Sequence, residues 1–395
     1  MIVYRIGEAE IKRIRKLIDS GRMFRYGSGG ECDRFEAAWS RRLGVEYVRM
    51  TNSGTSSIYA ALVGLGVGPG DQVIVPSYTY MATALAVVSC GAIPVVADVD
   101  ESLTLSPADL KKKITRHTKA VIPVHMVGLP CNMDKIGKIA RKKGILVLED
   151  ACQAVGGGYE GKMLGSMGDA GAFSFNFFKN MTCGEGGAFV AHSEEVFNRA
   201  SVAVDCCSYY WNPEDKREDL QFAGHNFRAS EFQGAILNAQ LRRIDGMLGR
   251  MREHKKALLE IGQAVGLSSI VNNSLDYECG THLGFQFAAE GQARDFANAV
   301  QASGVSCFLP MDTGRHVYTR WEPIMRYQGA HHAALNPFEM KENKKARVKY
   351  SKKMCRNSLD ILNRSVLLGM HPDNSKSKVT LMGRAIEEAA ESVLA

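Results

Sequence analysis

Between about Val73 and His192, short β-branched apolar runs alternate with longer amphipathic segments. The runs are VIVP at 73–76, IPVVADVD at 93–100, AVIPVH at 120–125, ILVLED at 145–150, GAFSF at 171–175 and GAFVAH at 187–192. Strand-length runs separated by helix-length segments predict an α/β fold, because crossover connections make most of the sheet parallel and cover both its faces with helices. Ligands of such sheets collect at the carboxyl ends of the strands. The longest apolar stretch, Met81 to Ala97, is broken by Ser89, Gly91 and Pro94. It predicts a helix feeding a strand rather than a membrane span. After Ser230, residues 231–261 carry apolar positions at three- and four-residue spacing, a long helix leading out of a large domain into a smaller one. The boundary is placed near Arg250, giving domains 1–250 and 251–395. The basic stretch Lys341 to Lys353 reads as a solvated helix face rather than an anion site.

Composition narrows the function. A chain of 395 residues with 45% hydrophobic content has material for a large core. The net charge of +7 is spread along the sequence, which suits small anions and argues against a nucleic-acid groove. Ten cysteines include no C-x-x-C pair, and Cys206 and Cys207 are adjacent, so a reducing compartment is expected. Met1 to Ile11 carries charge throughout and no signal-peptide core. The expectation is a soluble cytoplasmic protein with no membrane partner.

Four stretches carry candidate chemistry. ILVLED delivers Asp150 at the end of an apolar strand, where a buried carboxylate calls for a cation such as a pyridinium nitrogen; a helix N-cap or a turn is the plainer role. GAFSFNFFKNMTCGEGG sets Lys179 in an aromatic, glycine-flanked loop directly after a strand. Desolvation there favours the free amine that attacks an aldehyde to form a Schiff base. Ser174 and Gly184 to Gly187 let hydroxyl and backbone groups approach an anion. TNSGTSSIYAALVGL puts Gly54, Thr55 and Ser56 at a helix start, a phosphate seat or simple capping. Tyr80, in VPSYTYMATA, follows a strand end and can lie on an aromatic ring or in the core. GGGYEG at 156–161 fits G-x-G-x-x-G, yet no helix follows and no acidic strand end stands about twenty residues on, which excludes a nicotinamide site. His331 and His332 lack further metal-ligand spacing, so no metal is expected.

Taken together and in order, SGTSS, VPSYTYMATA, PVHMVGLP, EDACQA, FSFNFFKNMTCGEGG and GHNFRASEFQ resemble the DegT/StrS sugar aminotransferase family of fold-type I pyridoxal-phosphate (PLP) enzymes. The resemblance runs through residues 5–260, with shorter echoes to LLGMHP at 367–372. It implies a large domain with a mostly parallel seven-stranded sheet between helices and a smaller C-terminal α+β domain. By the same resemblance Lys179 holds PLP, Asp150 pairs with its pyridine nitrogen, and Gln153 lies near the ring or its phenolic oxygen. Thr55, Ser56 and Ser174 hold the phosphate, and Tyr80 stacks on the ring. An asparagine in the position of Asn226 reaches the cofactor phosphate of the neighbouring subunit, implying a homodimer with shared sites. His125, Glu185 and Arg228 match motif positions without a defined role. Sugar dehydratases on this scaffold carry histidine where Lys179 stands, so the lysine points to transamination.

The implied reaction moves an amino group from glutamate or glutamine to a keto-sugar or a cyclitol ketone in amino-sugar, antibiotic or polysaccharide precursor synthesis. Elimination and aromatisation, as in amino-hydroxybenzoate synthase relatives, is the alternative within the cofactor class. A non-catalytic regulator on the same fold would be expected to lack Lys179 or Asp150. Residues 308–338 depart from the commoner family pattern, and there Arg315, His316, Tyr318, Trp321, His331 and His332 offer donors and flat surfaces to a substrate. Residues 202–228 resemble the branch acting on cyclitols and antibiotic precursors. A nucleotide-linked keto-sugar, a keto-sugar phosphate and an inosose therefore all remain open.

Overall fold

The computed structural model of the protein describes residues 6–26, 29–206 and 221–394. Two helices, α1 (Glu8–Ser20) and α2 (Glu31–Leu43), precede strand β1 (Tyr47–Thr51). The α/β alternation then runs α3 (Gly54–Gly64), β2 (Gln72–Pro76), α4 (Ala82–Ser89), β3 (Ile93–Ala97), α5 (Pro107–Lys113), β4 (Thr118–Val121), α6 (Met133–Lys143) and β5 (Leu146–Asp150). A short hairpin, β6 (Gly158–Tyr159) with β7 (Lys162–Met163), occupies the G-x-G-x-x-G stretch and leads to β8 (Ala170–Ser174) and β9 (Gly187–Ala191). Helices α7 (Glu194–Val204), α8 (Glu231–Gln240) and α9 (Ile244–Ala264) follow.

The large sheet has seven strands in the order β1-β9-β8-β5-β4-β2-β3. Strands β8, β5, β4, β2 and β3 run parallel, whereas β9 is antiparallel to both its neighbours. The loop between β8 and β9 contains no crossover helix, so the chain turns straight back on itself. Strand β1, YVRMT, has no sustained apolar run and within the sheet pairs with β9 at the edge, which is why the hydrophobic pattern does not announce it. Strands β2, β3, β5, β8 and β9 are buried almost throughout.

The long amphipathic run after Ser230 is two helices, α8 and α9, separated by a 3-10 turn over Leu241–Arg243, and Arg250 lies inside α9. Beyond it, β10 (Ser268–Ser269), β11 (His282–Gln286), α10 (Glu290–Ala302), β12 (Cys307–Phe308), α11 (Glu322–Met325), α12 (Arg356–Asn363), β13 (Ser365–Gly369) and α13 (Lys376–Leu394) complete the chain. Strands β10-β11-β13-β12 form a four-stranded antiparallel sheet packed against α9 and α10, and α13 lies against those two helices.

Residues 341–353 are mostly solvated, but apart from a 3-10 turn at Glu342–Lys345 they are not helical, which corrects the reading of that stretch as a helix face. The fully buried Asn343 side chain donates to the carbonyls of Gly91 (2.8 Å) and Pro337 (2.7 Å) and ties the chain down in a non-repeating path. Within residues 308–338, the stretch from Arg315 to Tyr318 packs on the end of β2. Thr79 N–H donates to the His316 carbonyl (2.9 Å), Met81 N–H to Arg315 (3.2 Å) and Tyr318 N–H to Ser77 (3.0 Å). Among the described residues, no helix is long and apolar enough to cross a membrane.

Candidate active site

The site lies where the parallel strands end. Asp150 is the last residue of β5 and only 3% exposed. Its Oδ2 accepts from Thr83 Oγ1 at the start of α4 (2.7 Å), and its Oδ1 accepts from the Cys152 N–H (3.1 Å). Thr83 is held in turn by Thr79, 2.8 Å away. The sequence-level alternative of a helix cap does not apply, since no helix follows Asp150.

Lys179 stands in the loop after β8, its N–H donating to the Asn176 carbonyl (2.9 Å). Burial lowers the pKa of its amine from the ordinary 10.5, while the neighbouring Asp150 and Glu185 pull in the opposite direction. The side chain therefore combines a half-buried position with an easily lost proton, the pairing that makes a lysine nucleophilic. Beside it, burial first and Asp150 second push the Cys152 thiol well above its usual range, so it stays protonated. Glu185 is fixed by Asn176 Nδ2 at 2.8 Å.

Helix α3 points its N-terminus at the same place. Ser53 caps it by accepting from the Ser56 N–H (3.1 Å), and Ser56 Oγ donates to Asn52 Oδ1 (2.7 Å). The first-turn N–H groups of Gly54 and Thr55 have no carbonyl four residues back to bond, which leaves them for an anion. A Cβ on Gly54 would sit 2.7 Å from the Ser174 Cβ and 3.0 Å from the Cys152 Sγ, so the helix start, β8 and the β5 turn close together only around a glycine. Ser174 is 7% exposed with its hydroxyl near the Asn176 N–H (3.4 Å), while Thr55 is exposed.

Tyr80 is 41% exposed, not a core tyrosine, and its ring meets His316 at 5.7 Å between centroids. His316 is half-buried; burial and then the nearby Lys179 and Arg315 lower its pKa to about 4, so it is a neutral imidazole near the cleft. Arg315 is exposed beside it. Tyr318 and Trp321, by contrast, are 0% exposed: the Tyr318 hydroxyl donates to the Lys352 carbonyl (2.7 Å) and the Trp321 indole to the Arg315 carbonyl (3.1 Å). These two belong to packing, which removes Tyr318 from the substrate candidates. His331 and His332 are exposed, and His332 caps a 3-10 turn by accepting from Ala334 N–H (3.2 Å).

Gln153 accepts at Oε1 from the Val127 N–H (3.3 Å). Asn226 is exposed and pairs with Asp205 through a backbone bridge, and the next carbonyl, Phe227, accepts from Asn52 N–H (2.8 Å) beside the α3 cap. Residues 207–220, including Cys207 and most of the stretch with cyclitol-branch character, lie outside the described residues.

The structure also gives places to motif residues that had none. Arg228 Nη1 donates to Asp205 Oδ1 (3.0 Å) and to the Tyr26 hydroxyl (2.9 Å). His125 accepts at Nδ1 from the Cys131 N–H (3.1 Å), so its proton is on Nε2, facing Glu149 at 3.0 Å. Sequence reasoning missed Thr83, because a threonine inside an apolar helix carries no signal of its own until the fold brings it to Asp150. No cluster of three metal-ligating side chains exists among the described residues.

An amine with a depressed pKa, a buried carboxylate and a helix-start anion seat, all on one rim, suit a PLP molecule. The lysine would take its aldehyde, Asp150 its pyridine nitrogen, and Gly54, Thr55, Ser56 and Ser174 its phosphate. A GDP-perosamine synthase from Caulobacter vibrioides is 42% identical over 216 residues, covering 53% of this chain and 56% of that protein. A dTDP-3-amino-3,4,6-trideoxy-alpha-D-glucose transaminase from Streptomyces venezuelae is 38% identical over 239 residues, 60% of this chain and 61% of that protein. The chain thus matches somewhat over half the length of these curated relatives. Among solved structures, S. venezuelae DesV superposes with a TM-score of 0.78 at 27% identity, covering 97% of this chain and 94% of that one. A 3-amino-5-hydroxybenzoic acid synthase gives 0.79 at 26%, covering 99% and 98%. The model of the DegT/DnrJ/EryC1/StrS aminotransferase family matches residues 4–307, and the chain belongs to that family.

Proposed function

We propose that the protein is a PLP-dependent aminotransferase that moves an amino group from glutamate or glutamine to the carbonyl of a keto-sugar or a cyclitol. The observation that carries this reading is the placement of the half-buried Lys179 amine, its pKa lowered, beside the buried Asp150 carboxylate. Bound PLP supplies an electron sink for the carbon that loses its proton.

The chain's own groups do the rest. Asp150, oriented by Thr83 and the Cys152 N–H, would hold the ring nitrogen and favour its protonated form by its negative charge. The α3 N-terminus with Ser56 and Ser174 anchors the phosphate and fixes the ring's position. Tyr80 covers one face. Lys179 Nζ would be the base and acid that moves the proton to and from the substrate carbon. Arg315 and the neutral His316 lie at the entrance, suited to the substrate's anionic and hydroxyl groups. Asn226 completes the phosphate seat of a second copy in a homodimer.

Support for a sugar ketone comes from the perosamine synthase and amino-trideoxyglucose transaminase likenesses. The likeness to 3-amino-5-hydroxybenzoic acid synthase over nearly the whole chain keeps one second reading, elimination with aromatisation of a cyclic ketone. Product mass separates the two, since one gains an amine and the other loses water. The deciding experiment is the visible spectrum with added PLP before and after L-glutamate or L-glutamine. A band that bleaches with either donor is expected; a band untouched by both overturns transamination. Mixing an Asn226→Ala variant with a Lys179→Ala variant is expected to regain activity through hybrid dimers, and absence of rescue overturns the shared site.

A further inference from the structure

Val127 sits in the turn after β4 with φ 50° and ψ 29°, the left-handed region that a β-branched residue avoids. Three hydrogen bonds surround it. Its N–H donates to Gln153 Oε1 at 3.3 Å. Its carbonyl accepts from Thr281 Oγ1 at 2.6 Å and from His282 Nδ1 at 3.1 Å. Thr281 is 6% exposed and immediately precedes β11, and its own carbonyl accepts from Met370 N–H (2.8 Å) just past β13, so both donors are fixed to the small sheet. Gly128 must lack a side chain here, because a Cβ would collide with Thr281 Oγ1 and lie 2.8 Å from the Cys279 Cβ.

This arrangement fixes the orientation of Gln153. A backbone N–H only donates, so the carboxamide oxygen must face Val127 and the NH2 group must face away from it. With its oxygen turned to Val127, the glutamine presents its NH2 group on the other side. The N–H of Val127 points at Gln153 only while Val127 keeps its left-handed conformation, and the two donors on its carbonyl hold it there. Burial, with a lesser push from Lys255, lowers the His282 pKa to about 4, so this ring stays neutral and keeps a single donor on Val127 at ordinary pH.

We propose that Thr281 and His282 are positioning residues that act through the Val127 peptides to aim the Gln153 amide N–H at the ring oxygen of the bound cofactor. This rests on the PLP reading above. It makes the small sheet part of the cofactor's electronic environment, without any of its residues touching the cofactor. A donor to the ring oxygen favours the deprotonated form of the lysine-bound chromophore, so losing it raises the pH at which the visible band titrates.

The test is a pH titration of the visible band of the PLP-loaded protein for wild type, Gln153→Ala, Thr281→Val, Thr281→Ser and the Gln153→Ala/Thr281→Val double variant. Thr281→Val keeps the shape and removes the hydroxyl; Thr281→Ser restores it and guards against a mere packing effect. The expected result is an upward shift of the midpoint by about half a pH unit to one unit for Gln153→Ala and for Thr281→Val, the size of one hydrogen bond to a charged oxygen. Thr281→Ser should stay near wild type, and the double variant should shift no further than Gln153→Ala alone. A shift for Gln153→Ala with none for Thr281→Val overturns the relay and leaves the cofactor reading intact. Additive shifts also overturn it. No lysine-dependent band in wild type overturns the cofactor reading and the relay with it.

Discussion

Two carboxylates stand next to each other at the end of β5, and strand alternation sends them to opposite faces of the sheet. Glu149 is 0% exposed and fully engaged: it faces His125 Nε2 at 3.0 Å and accepts from the N–H groups of Gly165 (2.9 Å), Gly168 (2.7 Å) and Met167. Asp150, one residue on, takes one hydroxyl and one backbone N–H and has the Lys179 amine for a neighbour. Burial is the same on both faces, and the number of donors is what differs. A carboxylate with every acceptor position filled from its own fold is a clamp, here locking the turn before β8 to β4 and β5. One left with capacity and a cationic neighbour is available for chemistry.

Variants can break this contrast at several points. Lys179→Ala, which removes the group facing Asp150, is expected to abolish the PLP band and to lower kcat/KM by on the order of 10⁴-fold or more. Spectra and rates of the purified variant check it. Asp150→Asn should cost about 10²–10³-fold in kcat/KM while leaving the melting temperature nearly unchanged. Glu149→Gln should do the reverse, losing about 2–4 kcal/mol of stability in denaturant unfolding, because an amide places donors against donors, and leaving the band of the folded fraction in place. If Glu149→Gln instead shifted the band and spared stability, the division of labour between the two faces would be wrong.

Gly54→Ala tests the closeness of the cleft face. Its new methyl meets Ser174 and Cys152, and PLP affinity in equilibrium dialysis is expected to fall about tenfold, the equivalent of roughly 1.4 kcal/mol. The smallest effect concerns pH. Burial holds the Lys179 pKa below 10.5 in the folded protein, so the unfolded chain binds the extra proton between that lowered value and 10.5. The stability of the cofactor-free protein should therefore rise with pH across that window; the contribution is complete above it and lost as pH falls through the folded pKa. Lys179→Met should flatten that slope in denaturant unfolding.

Much of this was legible in the residues. The apolar runs locate β2, β3, β4, β5, β8 and β9, since a sheet covered on both faces demands continuous hydrophobic strands. Lys179 and Asp150 were legible because a lysine among aromatics and an acid ending an apolar strand both violate the local rule of burying only apolar groups. Edge strand β1 was not legible, because it is buried on alternate positions and pairs on one side only. Nor was the break between α8 and α9, which the continuous amphipathic period hides. Tyr318 looked like a substrate contact because its type suits one, yet it fills the core.

By itself, then, the sequence determined the layered α/β plan and singled out Lys179 and Asp150, because hydrophobic periodicity and out-of-place polar residues are local properties of the chain. Only the tertiary structure decided that Thr83 orients Asp150, that Glu149 is spent on backbone, that His316 meets Tyr80, and that Thr281 and His282 reach Val127 from a different sheet. Each of those depends on hydrogen bonds between residues 16 to 155 positions apart, on a ring contact, or on which face a strand turns to its neighbour, and such pairings leave no trace in the spacing of residues along the chain.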